Sequence, residues 1–182
     1  MLFDTHAHFD DEQFDADRDE VLKSLKSYGV GNIVNIGSSM KTSRTSVALA
    51  EKYDFVYATV GVHPSETGEL CEADIDELKR LAANPKVRAI GEIGLDYHYP
   101  DDVKPSIQKK WFARQLELAK ELDMPVVIHD RESKGECLEI LKEHKISNGV
   151  VHCFSGSAET AREILKLGMM ISFTGVLTFK NA

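Results

Sequence analysis

Met124-Pro125-Val126-Val127-Ile128-His129 is an apolar run that ends in a histidine, and this arrangement decides which fold the sequence predicts. Other apolar runs of the chain end in the same way, in a polar residue that can bind a ligand. The polar residues at these ends are His6 and His8, His63, Glu92, His129 and His152. In a parallel barrel the carboxyl ends of the strands form one mouth, and active sites lie there. The pattern therefore favours a barrel with its functional residues at one end.

The apolar runs alternate with amphipathic stretches, which predicts strands alternating with helices. Strands are predicted at Leu2–His6, Asn32–Ile36, Phe55–Val62, Val87–Ile93, Pro125–His129, Gly149–His152 and Met169–Phe173. Helices are predicted at Asp15–Tyr28, Thr42–Tyr53, Glu72–Ala83, Pro105–Leu122, Ser133–His144 and Ser157–Leu167. This order indicates parallel strands, in either a doubly wound sheet or a barrel. Because the sequence contains neither Gly-x-Gly-x-x-Gly after the first strand nor a Gly-x-x-x-x-Gly-Lys motif, the barrel is favoured.

The 182 residues are predicted to form one domain, residues 1–182. A complete (β/α)8 TIM barrel typically needs about 250 residues. Only seven runs of strand character are present in the sequence. We therefore expect an α/β fold of the TIM-barrel type that is C-terminally truncated after about the seventh strand. Its first and seventh strands would have exposed edges, which favour self-association.

Composition and charge limit the class of function. No apolar run approaches the roughly 20 residues that cross a bilayer, and the N-terminus lacks a signal-peptide pattern, so we expect a cytoplasmic protein without membrane contact. Cys71, Cys137 and Cys153 form no Cys-x-x-Cys pair, which predicts reduced, structural thiols. The formal net charge of −8 argues against tight binding of duplex DNA. Bound cations can nevertheless supply positive charge locally for a phosphodiester substrate.

Asp4-Thr5-His6-Ala7-His8 is a candidate metal-binding motif. In a strand, Asp4, His6 and His8 point to the same side, so two imidazoles converge. Imidazole is a common ligand for zinc, manganese and iron. Two ordinary polar residues at a strand end are the alternative explanation.

Glu92 is the strongest single candidate for a metal ligand. It ends an apolar strand, and Gly91 and Gly94 on either side leave room for close approach. A carboxylate in that position costs several kcal/mol if it is unpaired, so it needs a cation or hydrogen bonds. A lone histidine after a buried strand is more often structural, but His129 and His152 occur together with Glu92. Glu92 is therefore well placed to bridge two metals.

Three further residues each have two interpretations. His63 either contacts a substrate phosphate or caps a turn that Pro64 makes rigid. Arg131 either binds a phosphate oxygen or pairs with a neighbouring carboxylate. Asp96 either supports a metal ligand from behind or faces the substrate.

Five ordered blocks of the sequence closely resemble the TatD family of metal-dependent deoxyribonucleases. The blocks are Asp4-Thr5-His6-Ala7-His8, Gly61-Val62-His63-Pro64, Gly91-Glu92-Ile93-Gly94-Leu95-Asp96-Tyr97, Val127-Ile128-His129 and His152-Cys153-Phe154-Ser155-Gly156. The resemblance continues to the final residues 175–182. It implies a barrel of the metal-dependent hydrolase type with two divalent cations, Mg²⁺, Mn²⁺ or Zn²⁺. By position, His6 and His8 would bind one cation, His129 and His152 the other, and Glu92 would bridge them.

The same resemblance implies an enzyme that cleaves DNA phosphodiester bonds, as a 3′-to-5′ exonuclease on single-stranded ends, with a water activated by two metals. Glu92 would be catalytic, and His63 and Arg131 are predicted to hold phosphate. The family's remaining metal-binding aspartate lies at the eighth strand, and this chain ends before it. Two alternatives stay open: hydrolysis of a small amide or ester at an amidohydrolase-type site, and an inactive metal-binding fragment. No strand ends with the lysine that bridges metals in several amidohydrolases, which favours the nuclease.

Overall fold

The computed structural model describes residues 1–99 and 102–180. Seven strands form one parallel sheet in which each strand lies beside the next one in sequence. The strands are β1 (Leu2–Ala7), β2 (Val30–Asn35), β3 (Val56–Val60), β4 (Val87–Asp96), β5 (Val126–Arg131), β6 (Gly149–Val151) and β7 (Met170–Ile171). The helices are α1 (Arg18–Ser24), α2 (Met40–Lys52), α3 (Glu72–Ala82), α4 (Pro105–Glu121), α5 (Glu136–Glu143) and α6 (Ala158–Lys166). The sheet curls into a half-barrel, which confirms the predicted α/β barrel class.

The hydrophobic core lies between the sheet and its helices. Ile33, Val60 and Ile128 of the strands are fully buried, as are Leu78 of α3 and Leu116 of α4. Burying side chains of this size stabilises the fold by roughly 1.5–3 kcal/mol each. The core therefore fixes the central strands, and it thereby also determines where the strand ends lie.

The first predicted helix, Asp15–Tyr28, is divided into two shorter pieces, so its predicted bounds are wrong. A 3-10 turn at Glu12–Phe14 precedes α1, and a second one at Leu25–Tyr28 follows it. The hydroxyls of Ser24 and Ser27 donate to the carbonyls three residues earlier, at distances of 2.7 Å. Such bonds compete with the regular helical pattern. Serine chemistry therefore interrupts a helix that the apolar spacing alone predicts.

Several other element boundaries differ from the prediction, and two of them have an identifiable local cause. α5 begins at Glu136 instead of Ser133, because Glu132, Lys134 and Gly135 have positive φ angles of 56°, 56° and 93°, which no α-helix accommodates. β4 continues to Asp96, because β5 continues beside it and pairs Asp96 with Arg131. The longer β4 carries three more residues toward the mouth of the half-barrel than predicted.

The two outer strands, β1 and β7, have exposed edges, as the seven-strand prediction implied. Within the described residues β1 pairs with β2 alone and β7 with β6 alone. Leu2 is 69% exposed and Met170 is 66% exposed.

The helices in the described part of the chain are all too short or too polar to span a bilayer. Asn181 and Ala182, which end the C-terminal block of the family resemblance, lie outside the described residues.

Candidate metal centre

The carboxyl ends of the strands bring the predicted polar residues together. His6 belongs to β1 and His8 follows it, Glu92 belongs to β4, His129 belongs to β5, and His152 follows β6. A cavity of about 460 Å³ opens at this end of the half-barrel. It is lined by His8, Ser38, Ser39, Thr42, His63, Ser65, Glu66, Glu92, His129 and His152. Five of the seven predicted site residues therefore line one cavity, and His6 lies beside it against Glu92.

Glu92 lies at the centre of the group, and four imidazoles surround its carboxylate. Its Oε2 atom lies 3.4 Å from His6 Nε2 and 3.9 Å from His8 Nε2. Its Oε1 atom lies 2.9 Å from His129 Nδ1 and 3.7 Å from His152 Nε2. Glu92 is only 4% exposed. One buried carboxylate thus contacts histidines from three other strand ends.

The charges of these groups follow from their surroundings. Burial alone would raise the pKa of the Glu92 carboxyl, but hydrogen bonds from His129 and His6 outweigh it and hold that pKa well below its usual range. Burial alone would lower the pKa of His129, but the Glu92 and Asp96 carboxylates raise it above its ordinary value. Glu92 is therefore ionised at neutral pH, as a metal ligand must be.

His63 and His152 behave in the opposite way. Burial, reinforced by neighbouring histidines, lowers the pKa of His63 to about 4. The same causes lower the pKa of His152 to about 4. Both imidazoles are consequently neutral at pH 7, and a neutral imidazole can bind a metal or exchange hydrogen bonds.

Among residues 1–99 and 102–180, two sets of side chains have ligand atoms close enough together to hold a metal ion. One set is His6, His8 and Glu92, and the other is His63, Glu92 and His129. His6 and His152 stack with ring centroids 3.5 Å apart, and the Nδ1 atom of each is buried without a hydrogen-bond partner in the described structure. The Nε2 atoms of the same two rings lie 3.4 and 3.7 Å from the ionised Glu92 carboxylate, and this set of nitrogen and oxygen donors fits a divalent cation.

His63 shows features of both of its predicted roles. Its Nδ1 atom accepts a hydrogen bond from the backbone N–H of Ser65, so it caps the 3-10 turn Pro64–Glu69. Its ring also lies edge-on to that of His129, with centroids 4.3 Å apart, and it lines the cavity. The cap uses the Nδ1 atom, which leaves Nε2 available on a ring that lines the cavity.

Arg131 does not join the group. It is exposed at the end of β5, with its guanidinium 5.5 Å from the centre of the Tyr99 ring, and it does not line the cavity. Its neighbour Glu132 pairs with His98 instead. The predicted phosphate contact of Arg131 remains a prediction.

The sequence prediction missed the hydroxyl groups that follow β2. Ser39 caps α2 and accepts a hydrogen bond from Thr42 N–H, so α2 begins two residues before its predicted start. Ser38, Ser39 and Thr42 then line the cavity. Ser38 and Ser39 follow the apolar run that ends at Ile36. A polar residue after an apolar run is the same pattern that identified the histidines.

A curled parallel sheet with histidines and one buried glutamate at the carboxyl ends of its strands defines a metal-dependent hydrolase of the TIM-barrel class. The family model described as TatD related DNase matches residues 3–182. The chain belongs to this family.

Individual relatives agree with this assignment. The chain is 45% identical to the metal-dependent hydrolase YabD of Bacillus subtilis, over all of this chain and 72% of YabD. It is 35% identical to the 3′-5′ ssDNA/RNA exonuclease TatD of Cronobacter sakazakii, over 96% of this chain and 66% of that protein. The crystal structure of YjjV, a TatD homologue from Escherichia coli, superposes with a TM-score of 0.92 at 35% identity and covers all of this chain and 71% of YjjV.

Proposed function

We propose that this enzyme hydrolyses phosphodiester bonds at the 3′ ends of single-stranded DNA, with two divalent cations. The observation that carries the proposal is the Glu92 carboxylate, which is buried, ionised and in contact with four imidazoles. The name of the Cronobacter relative, which specifies a 3′-5′ ssDNA/RNA exonuclease, supports the choice of substrate.

In this proposal His6 and His8 would hold one cation, His129 and His152 would hold the other, and Glu92 would be a ligand to both. Such cations, Mg²⁺, Mn²⁺ or Zn²⁺, supply Lewis-acid stabilisation of the phosphate and lower the pKa of a bound water. Glu92 is suited to this role because each of its two oxygens faces a different pair of histidines. The acidic chain, with a net charge of −8, depends on such local positive charge to accept a polyanion.

His63 would bind the substrate phosphate as a neutral hydrogen-bond donor. Because its Nδ1 atom accepts from Ser65 N–H, the ring proton lies on Nε2. With a pKa of about 4, the ring keeps this form at neutral pH. A phosphate oxygen in the cavity is a suitable acceptor for the Nε2–H group, and in this proposal His63 binds the substrate instead of a metal.

The free cysteines bear on localisation. Cys71, Cys137 and Cys153 are all unpaired with one another. Thiols of this kind are typical of a reducing compartment. A cytoplasmic location is therefore part of the proposal.

Release of mononucleotides from a labelled single-stranded oligonucleotide tests the function. The wild type is assayed with Mg²⁺, Mn²⁺ or Zn²⁺ after removal of bound metal, beside Glu92→Gln and the exposed control Glu143→Gln. We expect metal-dependent release from the 3′ end, lost in Glu92→Gln and kept in Glu143→Gln. Metal binding without release of nucleotides would favour the inactive metal-binding fragment. Hydrolysis of small amides or esters instead of DNA would favour the amidohydrolase-type alternative.

A further inference from the structure

Asp96 ends β4 and lies directly behind His129. Its Oδ2 atom is 3.0 Å from His129 Nε2. Its Oδ1 atom accepts a hydrogen bond from His98 N–H at 2.9 Å. The side chain is enclosed, with the residue only 8% exposed. Asp96 therefore has both carboxylate oxygens committed, one of them to a histidine of the proposed metal centre.

Helix α4 holds the backbone of Asp96 in place. The Gln108 side chain accepts from Asp96 N–H at 2.9 Å and donates to the Asp96 carbonyl at 2.8 Å. Gln108 is itself 2% exposed. A buried amide that binds both the N–H and the carbonyl of one residue restricts the backbone there, so the Asp96 carboxylate is pre-oriented.

His129 is thus held between two carboxylates, Glu92 at Nδ1 and Asp96 at Nε2. Since Glu92 belongs to both candidate metal sets and Asp96 belongs to neither, Nδ1 is the nitrogen that faces the metal centre. A metal-binding imidazole must present a lone pair on the nitrogen that faces the metal, so its proton must lie on the other nitrogen.

We propose that Asp96 is a positioning residue for His129. It accepts the Nε2–H group, fixes the ring orientation and keeps the Nδ1 lone pair directed at the cation. This inference rests on the metal-binding part of the proposed function. It goes further by assigning a role to a carboxylate that is not itself a ligand.

The inference is tested by metal affinity, which needs no substrate. Zn²⁺ binding to metal-free protein is measured by calorimetry for the wild type, Asp96→Asn and Asp96→Ala. The matched control is Asp130→Asn, which removes a carboxylate next to His129 in sequence that makes no contact with its ring. Loss of a carboxylate behind a metal-binding histidine typically weakens affinity about 10- to 100-fold. We expect that range for Asp96→Ala, a smaller loss for Asp96→Asn, which retains a neutral acceptor, and no change for Asp130→Asn.

A spectroscopic measurement separates positioning from a general loss of structure. In zinc-loaded protein labelled with ¹⁵N-histidine, the His129 ring should show its proton on Nε2 in the wild type. In Asp96→Ala that signal should broaden or move to a mixed state, while the signals of His144 stay unchanged. Unchanged affinity and an unchanged His129 signal in both Asp96 variants would overturn the inference.

The outcomes distinguish this inference from the proposed function. A wild type that fails to bind Zn²⁺ would refute both the metal centre and the positioning role. A wild type that binds Zn²⁺ and shows the expected Asp96 effect, yet releases no nucleotides, would refute the nuclease and leave the role of Asp96 intact.

Discussion

The His63 side chain shows how one ring can take two structural roles at once. Its Nδ1 edge caps a turn through Ser65, and its remaining edge faces the cavity beside His129. The sequence predicted the two roles as alternatives, because the chemistry of a histidine before a proline fits either. The structure confirms the cap and places the ring in the cavity lining, while the phosphate contact stays a prediction.

Substitution of His63 is expected to impair catalysis without impairing metal binding. His63→Ala removes the proposed Nε2–H donor, and loss of one such donor typically lowers kcat about 10²- to 10³-fold. We expect a fall of this size with Zn²⁺ affinity unchanged, measured by nucleotide release and by calorimetry.

His144→Ala, at the end of α5 and outside the cavity, is the matched control and should behave as wild type. A parallel loss of Zn²⁺ affinity in His63→Ala would assign His63 to the metal instead, as part of the set with Glu92 and His129.

Much of the candidate centre could be predicted at the residue scale. His6, His8, Glu92, His129 and His152 follow from one rule, that polar residues at the carboxyl ends of parallel strands meet at one mouth. The choice between the two interpretations of Asp96 could not be predicted, because it depends on a hydrogen bond between side chains 33 residues apart. Residue spacing along one strand carries no information about such a contact.

At the scale of elements, the close approach of β4 and β5 depends on glycine. Gly94 has a φ angle of +147°, and a Cβ atom placed there would lie 1.9 Å from the His129 carbonyl oxygen. Gly94 lies between Glu92 and Asp96 in β4, and it pairs with His129 of β5. Only a residue without a side chain allows this pairing.

Gly94→Ala is therefore expected to destabilise the fold by about 2 kcal/mol or more, since it combines a disfavoured φ with a backbone clash. Urea denaturation followed by circular dichroism measures the change in the free energy of unfolding. Gly175→Ala is the control, because nothing lies within 4 Å of a Cβ atom there. Equal stabilities of the two variants would show that β4 shifts to accept the methyl group at no cost.

The junction of α5 and α6 has an electrostatic component that pH should reveal. Lys142 Nζ of α5 and Lys166 Nζ of α6 each lie 2.7 Å from the Glu163 carboxylate. Hydrogen bonds from Lys142 and then Lys166 lower the pKa of Glu163 to about 2. A carboxyl group whose pKa is lowered on folding stabilises the protein above its unfolded pKa, and this stabilisation is lost as the pH falls through its folded pKa.

Glu163→Gln should therefore have a slightly lower Tm than the wild type at pH 7, and the difference should shrink as the pH falls from about 4.5 toward about 2. Because Glu163 is well solvated, added salt should also reduce the difference. Glu117→Gln removes an exposed carboxylate that makes no ion pair in the described part of the chain, and it should leave Tm unchanged at every pH. A Tm difference for Glu163→Gln that is independent of pH would point to packing instead of charge.

The positions of the elements could be predicted better than their ends. Each predicted strand and helix has a counterpart, because the alternation of apolar runs with amphipathic stretches reflects the core directly. The ends depend on local polar chemistry, such as the serine hydroxyls around α1 and the positive φ angles before α5. The spacing of apolar residues contains no information about these hydroxyl contacts or these φ angles, so it does not predict where the elements end.

At the scale of the whole molecule, the two outer strands place exposed apolar side chains next to unpaired backbone. Leu2 of β1 and Met170 of β7 are 69% and 66% exposed. Phe3 and Phe173 nearby are 50% and 53% exposed. Exposed apolar strand edges are templates for pairing with another chain, and natural proteins commonly protect such edges with lysine.

We therefore expect the isolated chain to self-associate through these edges. In sedimentation velocity experiments, the wild type should show a sedimentation coefficient that rises with protein concentration. The double variant Leu2→Lys/Met170→Lys should reduce this rise, because a charged side chain next to the open edge opposes the approach of a second edge.

Leu165→Lys is the matched control, since Leu165 is 53% exposed on α6 and lies on no strand. It removes an exposed apolar side chain from a helix and should leave the concentration dependence as in the wild type. Circular dichroism at each concentration verifies that all variants keep the fold. If Leu165→Lys reduced association as much as the double variant, general surface hydrophobicity would explain it, and the strand edges would have no special role.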